Sequence, residues 1–246
     1  NINNVTIGSW ITLNHISIVE IMAEAGFDWL CIDLEHSVID YYAVELLIAA
    51  IESKGLFPFV RVGKNDELII KRVLDAGAKG IIVPMVETKD DVSNAANSMY
   101  YEPIGRRGVG LARAQGYGSR FSDYFDWQRE HSLVVVQIEH IDAVDNLEMI
   151  LSVSGVDAYI VGPYDLSGSL GIPGQFDAPD FLAALQKIRS VSEKLGVPGG
   201  VHIVEPNPAE LRQCINEGNL FIAYGVDTRM LDTVCREGLK SIEDLR

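Results

Sequence analysis

The sequence has few cysteines, little positive charge and no long apolar run. Its three cysteines, Cys31, Cys214 and Cys235, lie far apart with no C-x-x-C spacing. An odd, scattered set of this kind excludes a disulfide scaffold or a zinc–thiolate centre as the organising feature. Lys and Arg number 20 against 35 Asp and Glu, a formal net charge of -15. Such a balance repels phosphate backbones and anionic lipid, so neither nucleic acid nor a membrane is expected as a partner. No apolar stretch approaches the ~20 residues needed to cross a bilayer. The first residues, Asn1–Val5, show no basic segment leading into an apolar run, so no secretory leader is expected. A reducing cytoplasm is the expected compartment.

What is present is 246 residues, 48% of them hydrophobic, a composition that argues against disorder and suits one large α/β unit. Short apolar runs alternate with amphipathic segments along the whole chain. The expected strands are Ile7–Leu13, Trp29–Leu34, Phe57–Val62, Gly80–Met85, Leu133–Ile138, Ala158–Val161, Gly199–Ile203 and Leu220–Tyr224. Several are almost wholly apolar, as strands buried on both faces are. Helical patterns between them include Tyr41–Lys54, Glu67–Ala76, Asp90–Tyr100, Asp142–Val153, Phe181–Leu195 and Pro208–Glu217. In Glu67–Ala76 the apolar Leu68, Ile69, Val73 and Ala76 cluster apart from Lys71, Arg72 and Asp75, and Gly77 supplies the stop.

About eight strand–helix units in one uninterrupted domain, 1–246, predict an α/β fold of the (β/α)8 TIM-barrel type. A doubly wound open sheet would carry a glycine-rich phosphate turn after its first strand. The segment after Leu13 reads Asn14-His15-Ile16-Ser17 and has no glycine. The longest irregular insert is Tyr101–Ser132, and a loop of that length is expected to be functional.

In such barrels catalytic groups stand at the C-terminal strand ends. There the second strand runs into Asp33-Leu34-Glu35-His36, the third into Arg61, the fifth into Gln137-Ile138-Glu139 and the sixth into Gly162-Pro163-Tyr164-Asp165. Glu139 and Asp165 are the best metal pair, because hard divalent cations such as Mg²⁺, Mn²⁺ or Co²⁺ prefer carboxylate oxygens. Arg61 beside them would stabilise an enolate oxygen. His36 is the obvious proton carrier near neutral pH. His15, His131, His140 and His202 read as structural or peripheral. A lysine imine is the weaker route: Lys79 opens a strand at the wrong barrel end, and Lys64 lies in an exposed turn.

These residues resemble the HpcH/HpaI-type class II pyruvate aldolases of the phosphoenolpyruvate/pyruvate barrel superfamily. The likeness runs through Ala25-Gly26-Phe27-Asp28-Trp29, Asp33-Leu34-Glu35-His36, Val60-Arg61-Val62 and Leu74-Asp75-Ala76-Gly77-Ala78. It continues through Val83-Pro84-Met85-Val86, Arg107-Gly108-Val109-Gly110, Gln137-Ile138-Glu139 and Gly162-Pro163-Tyr164-Asp165-Leu166-Ser167. The resemblance implies Glu139 and Asp165 as metal ligands, Gln137 near a bound 2-oxo acid, and Arg61 on its keto oxygen. It implies His36 working with Asp75 in proton transfer, with Asp33 behind the ligands or reaching in from a neighbouring subunit. Backbone N–H groups at Tyr164 and Asp165 would receive the substrate carboxylate. It also implies a hexamer whose C-terminal helices are exchanged between subunits.

The activity so implied is divalent-metal-dependent cleavage or formation of a 4-hydroxy-2-oxo acid, yielding pyruvate and an aldehyde through a pyruvate enolate. The aldehyde pocket is expected to be shaped by the Tyr101–Ser132 insert and a neighbouring subunit. Other readings are a citramalyl- or malyl-CoA type lyase, an oxaloacetate decarboxylase, or a non-catalytic metabolite-binding barrel. The acidic balance speaks against a CoA nucleotide, and the intact set Arg61, Glu139 and Asp165 against a retired site.

Overall fold

A computed structural model describes residues 2–245. Eight parallel strands close in sequence order into one barrel: β1 (Thr6–Ile11), β2 (Trp29–Asp33), β3 (Phe57–Arg61), β4 (Gly80–Val83), β5 (Leu133–Ile138), β6 (Ala158–Val161), β7 (Gly199–Ile203) and β8 (Phe221–Val226). The expected barrel is therefore present. Three strand ends differ from expectation by two residues: β1 stops at Ile11, β4 stops at Val83, and β8 runs on to Val226.

Helices α1 (Ile16–Ala25), α2 (Tyr41–Ser53), α3 (Glu67–Ala76) and α4 (Lys89–Met99) cover the first half. The second half carries α5 (Phe121–His131), α6 (Ile141–Asp145), α7 (Leu147–Leu151), α8 (Pro163–Ser169), α9 (Pro179–Leu195), α10 (Pro208–Asn216) and α11 (Asp227–Lys240). The single helix expected over Asp142–Val153 is two short ones meeting at Asn146. α3 shows how local chemistry sets the ends. Asp66 accepts from the N–H groups of Leu68 and Ile69, and Gly77 takes the left-handed conformation, φ 113°, that closes the helix.

Inward-facing residues fill the barrel in layers. Near the strand starts, Trp29 stacks on Phe221 at 4.4 Å, and Phe59 meets both edge-on at 5.5 and 5.4 Å. This aromatic plug closes the barrel below. Further along the strands, four residues beyond Trp29 and two beyond Phe59, the inward set turns polar, with Asp33, Arg61 and Gln137 beside Trp10 and His202. The site therefore sits on a packed floor. Asp227 ties the barrel shut above it by accepting from the N–H groups of Thr12 and Leu13, each at 2.8 Å.

The Tyr101–Ser132 insert departs from expectation twice. Its second half is helix α5, which starts at Arg120 without a side-chain cap. The insert also lies under the barrel, at the N-terminal strand ends, where Arg113 bonds the Ala76 carbonyl and Glu52, and Gln115 bonds Asp75. A connection from the end of α4 to the start of β5 has to lie there, because barrel helices run opposite to the strands. It cannot shape the pocket of its own chain.

Candidate active site

Asp33 ends β2 and Arg61 ends β3, and the two are register partners. Asp33 takes Arg61 in a two-pronged grip, Nε to Oδ1 at 2.9 Å and Nη2 to Oδ2 at 2.6 Å. That pairing fixes the guanidinium plane. The Trp10 ring lies against its face, 4.3 Å from centroid to Cζ. On the remaining side Nη1 meets Glu35 at 3.2 Å and Gln137 Oε1 at 3.5 Å. Burial by itself would push the Asp33 carboxyl up, but the hydrogen bonds and charge of Arg61 outweigh it and hold Asp33 below its ordinary value.

From Arg61 the hydrogen bonds continue across the barrel mouth. Gln137 donates from Nε2 to Glu139 Oε2, and the Met85 N–H donates to Glu139 Oε1 at 2.6 Å. Met85 is held at φ 52°, a left-handed conformation rare for a residue with a side chain. Glu139 itself is 4% exposed. Gly162, at the end of β6, leaves room for this arrangement: a Cβ there would stand 3.0 Å from both Gln137 Nε2 and Glu139 Oε2.

Asp165 follows in the first turn of α8, placed by Pro163 at the helix start. Burial, opposed by the Met85 hydrogen bond and reinforced by the charges of Glu35 and Asp165, raises Glu139 to about 7. Burial is also the main reason Glu35 lies above its ordinary value, with Arg61 lowering it and Asp33 and Asp165 adding to the rise. Crowded carboxylates of this kind are what a divalent cation relieves. The pair Glu139 and Asp165 offers only hard oxygen donors, which fits Mg²⁺ or Mn²⁺ better than zinc.

Not every expected partner comes together within one chain. His36 is exposed at the mouth, its Nε2 3.6 Å from Glu35 Oε2, with its backbone N–H on Asp33. Asp75 lies at the far end of α3, below the barrel, where it accepts from Arg107 at 2.6 Å and from Gln115 at 3.1 Å. A ten-residue helix is about 15 Å long, so His36 and Asp75 of the same chain cannot form a pair. Asp33 serves its own chain's Arg61. The Tyr164 side chain is half exposed and packs edge-on against Phe176 at 5.1 Å, and its backbone lies in the first turn of α8 beside Asp165. Of the lysines, Lys64 is exposed in its turn and Lys79 lies at the strand start, 3.4 Å from Glu52.

Four residues of this site were not singled out in the sequence: Trp10, Glu35 as a partner of Arg61, the Met85 N–H, and His202. The first and last follow from strand parity, since alternate residues of a barrel strand face inward. The Met85 contact depends on an unusual backbone angle that no pattern announces. Outside the site, Glu87, His140 and Asp142 bring ligand atoms within 4.8 Å of one another. There the His140 Nδ1 lone pair already accepts the Asp142 N–H at 3.2 Å, capping α6, so the cluster reads as a helix start.

The comparisons with known proteins agree with this geometry. The family model described as HpcH/HpaI aldolase/citrate lyase matches residues 6–233. The chain is 39% identical over 227 residues to a 4-hydroxy-2-oxo-heptane-1,7-dioate aldolase of Salmonella dublin, covering 92% of this chain and 85% of that one. It is 37% identical over 228 residues to a hydroxypyruvate/pyruvate aldolase of Sagittula stellata, covering 92% and 89%. Among solved structures, an HpcH/HpaI aldolase/citrate lyase family protein of Burkholderia cenocepacia superposes with a TM-score of 0.91 at 34% identity, covering 97% of this chain and 95% of that one. A whole-chain match of this kind, with the acid pair and clamped arginine at one barrel mouth, makes this chain a member of the HpcH/HpaI aldolase/citrate lyase family.

Proposed function

We propose that this chain is a divalent-metal-dependent aldolase that splits, or forms, a 4-hydroxy-2-oxo acid from pyruvate and an aldehyde. The observation that carries this is Arg61, locked by Asp33 and joined through Gln137 to the buried Glu139, with the charge of Asp165 close by. Glu139 and Asp165 would hold the cation, Mg²⁺, Mn²⁺ or Co²⁺. When bound it supplies positive charge to the carboxylate and keto oxygen of the oxo acid.

The chain's own groups do the rest. Arg61 binds the C2 oxygen and meets the negative charge that gathers there as the C3–C4 bond breaks. Its plane is already fixed, so little reorganisation is needed at that moment. Gln137 orients the acid end, and the N–H groups of Tyr164 and Asp165 receive the carboxylate. His36 takes the C4 hydroxyl proton as the aldehyde forms, and returns it in the reverse direction.

The partner Asp75 of His36 would come from a second copy of the chain. One surface feature supports an oligomer, which we read as a hexamer. α11 presents Leu231, Val234 and Leu239 to solvent, an apolar face suited to exchange between subunits. In such an oligomer the insert carrying Arg107 and Gln115 would meet another barrel's mouth and shape its aldehyde pocket. No helix of the described residues is long and apolar enough to cross a membrane. The aldolase reading is tested by chelation: EDTA should abolish cleavage, and Mg²⁺, Mn²⁺ or Co²⁺ should restore it. Borohydride with pyruvate should leave the protein mass unchanged, and a stable adduct on Lys64 would overturn the reading.

A further inference from the structure

Asp33 grips Arg61 along one edge, from Nε to Nη2. A guanidinium held along one edge can still hinge about that edge, and the corner that swings is Nη1. That corner is the one aimed across the mouth, 3.2 Å from Glu35 and 3.5 Å from Gln137 Oε1. The Trp10 ring closes one side of the hinge, its centroid 4.3 Å from Cζ.

Trp10 is itself fixed from behind. The pairing of β1 with β8 runs from Gly8↔Ala223 to Trp10↔Val226, so β8 holds one residue more than β1 over this stretch. Within that bulge Gly225 takes φ 68°, a left-handed conformation that suits glycine. Its carbonyl accepts from the Ser9 hydroxyl at 3.2 Å and from His202 Nε2 at 3.3 Å. A carbonyl can only accept, so Nε2 carries the imidazole proton. The His202 ring lies against Trp10, 5.4 Å between centroids. Burial, then the positive charge of Arg61, keep that ring neutral, its value lowered to about 3. A neutral ring does not compete with Arg61 for the indole.

The indole N–H does nothing to hold the ring. Trp10 is 2% exposed, and its Nε1 has no hydrogen-bond partner among the described residues. What fixes Trp10 is therefore contact with its faces and edges, with His202 and Arg61 among the groups in place. A phenylalanine would avoid burying that donor, but would offer the cation a weaker face.

We infer that Trp10 is a positioning residue, which blocks the out-of-plane swing of Nη1 and so holds Arg61 toward the C2 oxygen of the oxo acid. This rests on the aldolase reading above. The keto oxygen before reaction is uncharged and tolerates an imperfect donor. The enolate oxygen is charged, and its stabilisation depends on a donor already aimed at it. Loss of Trp10 should therefore appear in kcat and leave KM nearly unchanged. Because Trp10 acts through Arg61, its effect should vanish once the planar fork is gone.

The experiment is a double-mutant cycle on exchange of the pyruvate methyl protons in D2O, with saturating Mn²⁺, read by NMR above the enzyme-free rate. Trp10→Leu should lower kcat by about 10–10²-fold with KM within about threefold of wild type. Trp10→Phe keeps an aromatic face and should lose less, about three- to tenfold. In Arg61→Lys no fork remains to be held, so adding either Trp10 variant should cost less than about threefold further. Wild-type kcat in Trp10→Leu would overturn the assignment. So would a loss as large in the Arg61→Lys background as in the wild type, which is what a residue that only packs the barrel gives. A rise in KM at unchanged kcat would also overturn it, by making Trp10 a group that binds the ground state. Should Trp10→Leu not fold, the same comparisons are read from Trp10→Phe, and wild-type kcat there overturns the assignment. Failure of the wild type to exchange pyruvate would instead overturn the aldolase reading itself, and this assignment with it.

Discussion

Asp33 holds Arg61 by two parallel hydrogen bonds at 2.9 and 2.6 Å, both side chains sunk in the barrel mouth. Buried pairs of this kind contribute little net stability as a pair, but breaking one leaves a charge stranded. Asp33→Ala should therefore cost about 3–5 kcal/mol in urea unfolding, toward the lower end because Glu35 remains beside Nη1. Asp33→Asn should cost less in stability, yet still lower kcat by freeing the guanidinium plane. Wild-type kcat in Asp33→Asn would show that Arg61 needs no such grip.

Arg61 and His36 are proposed to have separate tasks, and two reactions tell them apart. Arg61→Lys keeps the charge but loses the fork, and should cost about 3 kcal/mol in kcat. It should do so for aldol cleavage and for decarboxylation of oxaloacetate alike, since both pass through the pyruvate enolate. His36→Ala should slow cleavage by roughly 10²–10⁴-fold and decarboxylation far less, because oxaloacetate has no C4 hydroxyl to deprotonate. Equal losses in both reactions would remove His36 as the aldol base.

Glu139 and Asp165 are the proposed cation ligands, so Glu139→Gln and Asp165→Asn should each weaken Mn²⁺ binding at least about tenfold by calorimetry. Gly162→Ala should do the same without touching a ligand, since its methyl would crowd Glu139 Oε2 at 3.0 Å. Unaltered Mn²⁺ affinity in Glu139→Gln or Asp165→Asn would take that residue out of the metal site.

The neutral His202 makes a pH prediction with a definite sign. An unfolded histidine titrates near 6.5, whereas His202 in the fold is lowered to about 3, by burial first and Arg61 second. Above pH ~6.5 neither state is protonated and the residue contributes no pH dependence. As the pH falls from about 6.5 toward 3, the unfolded chain gains a proton that the folded chain refuses, so stability drops through that window. Between pH 4 and 6, His202→Leu should lower the slope of unfolding free energy against pH by about one proton, or ~1.4 kcal/mol per unit. An unchanged slope would mean that the folded ring protonates normally.

The barrel was legible because its strands are apolar on both faces and its helices end in ordinary caps, as Asp66 and Gly77 show for α3. The grouping of Arg61, Gln137 and Glu139 at one barrel mouth was legible because they stand at C-terminal strand ends, with Asp165 just beyond β6. The site was not legible where function depends on which way a strand residue faces. His202 reads as structural because it is a lone histidine in a short apolar strand, and only the parity of β7 puts its ring in the mouth beside Trp10. Asp75 could not be placed from sequence either: its motif suggested a partner for His36, and only the direction of α3 shows the two at opposite barrel ends. Helix α5 is hard to see because a Gly- and Arg-rich stretch precedes it and no side chain caps its start at Arg120, although Phe121, Tyr124 and Phe125 keep helical spacing.

A barrel mouth that makes an enolate from pyruvate must exchange the pyruvate methyl protons in D2O. With Mg²⁺ or Mn²⁺ present the wild-type chain should exchange them catalytically, EDTA should stop it, and Arg61→Lys should slow it by about 10²-fold. Exchange that persists in EDTA, or that Arg61→Lys leaves at the wild-type rate, would contradict the account.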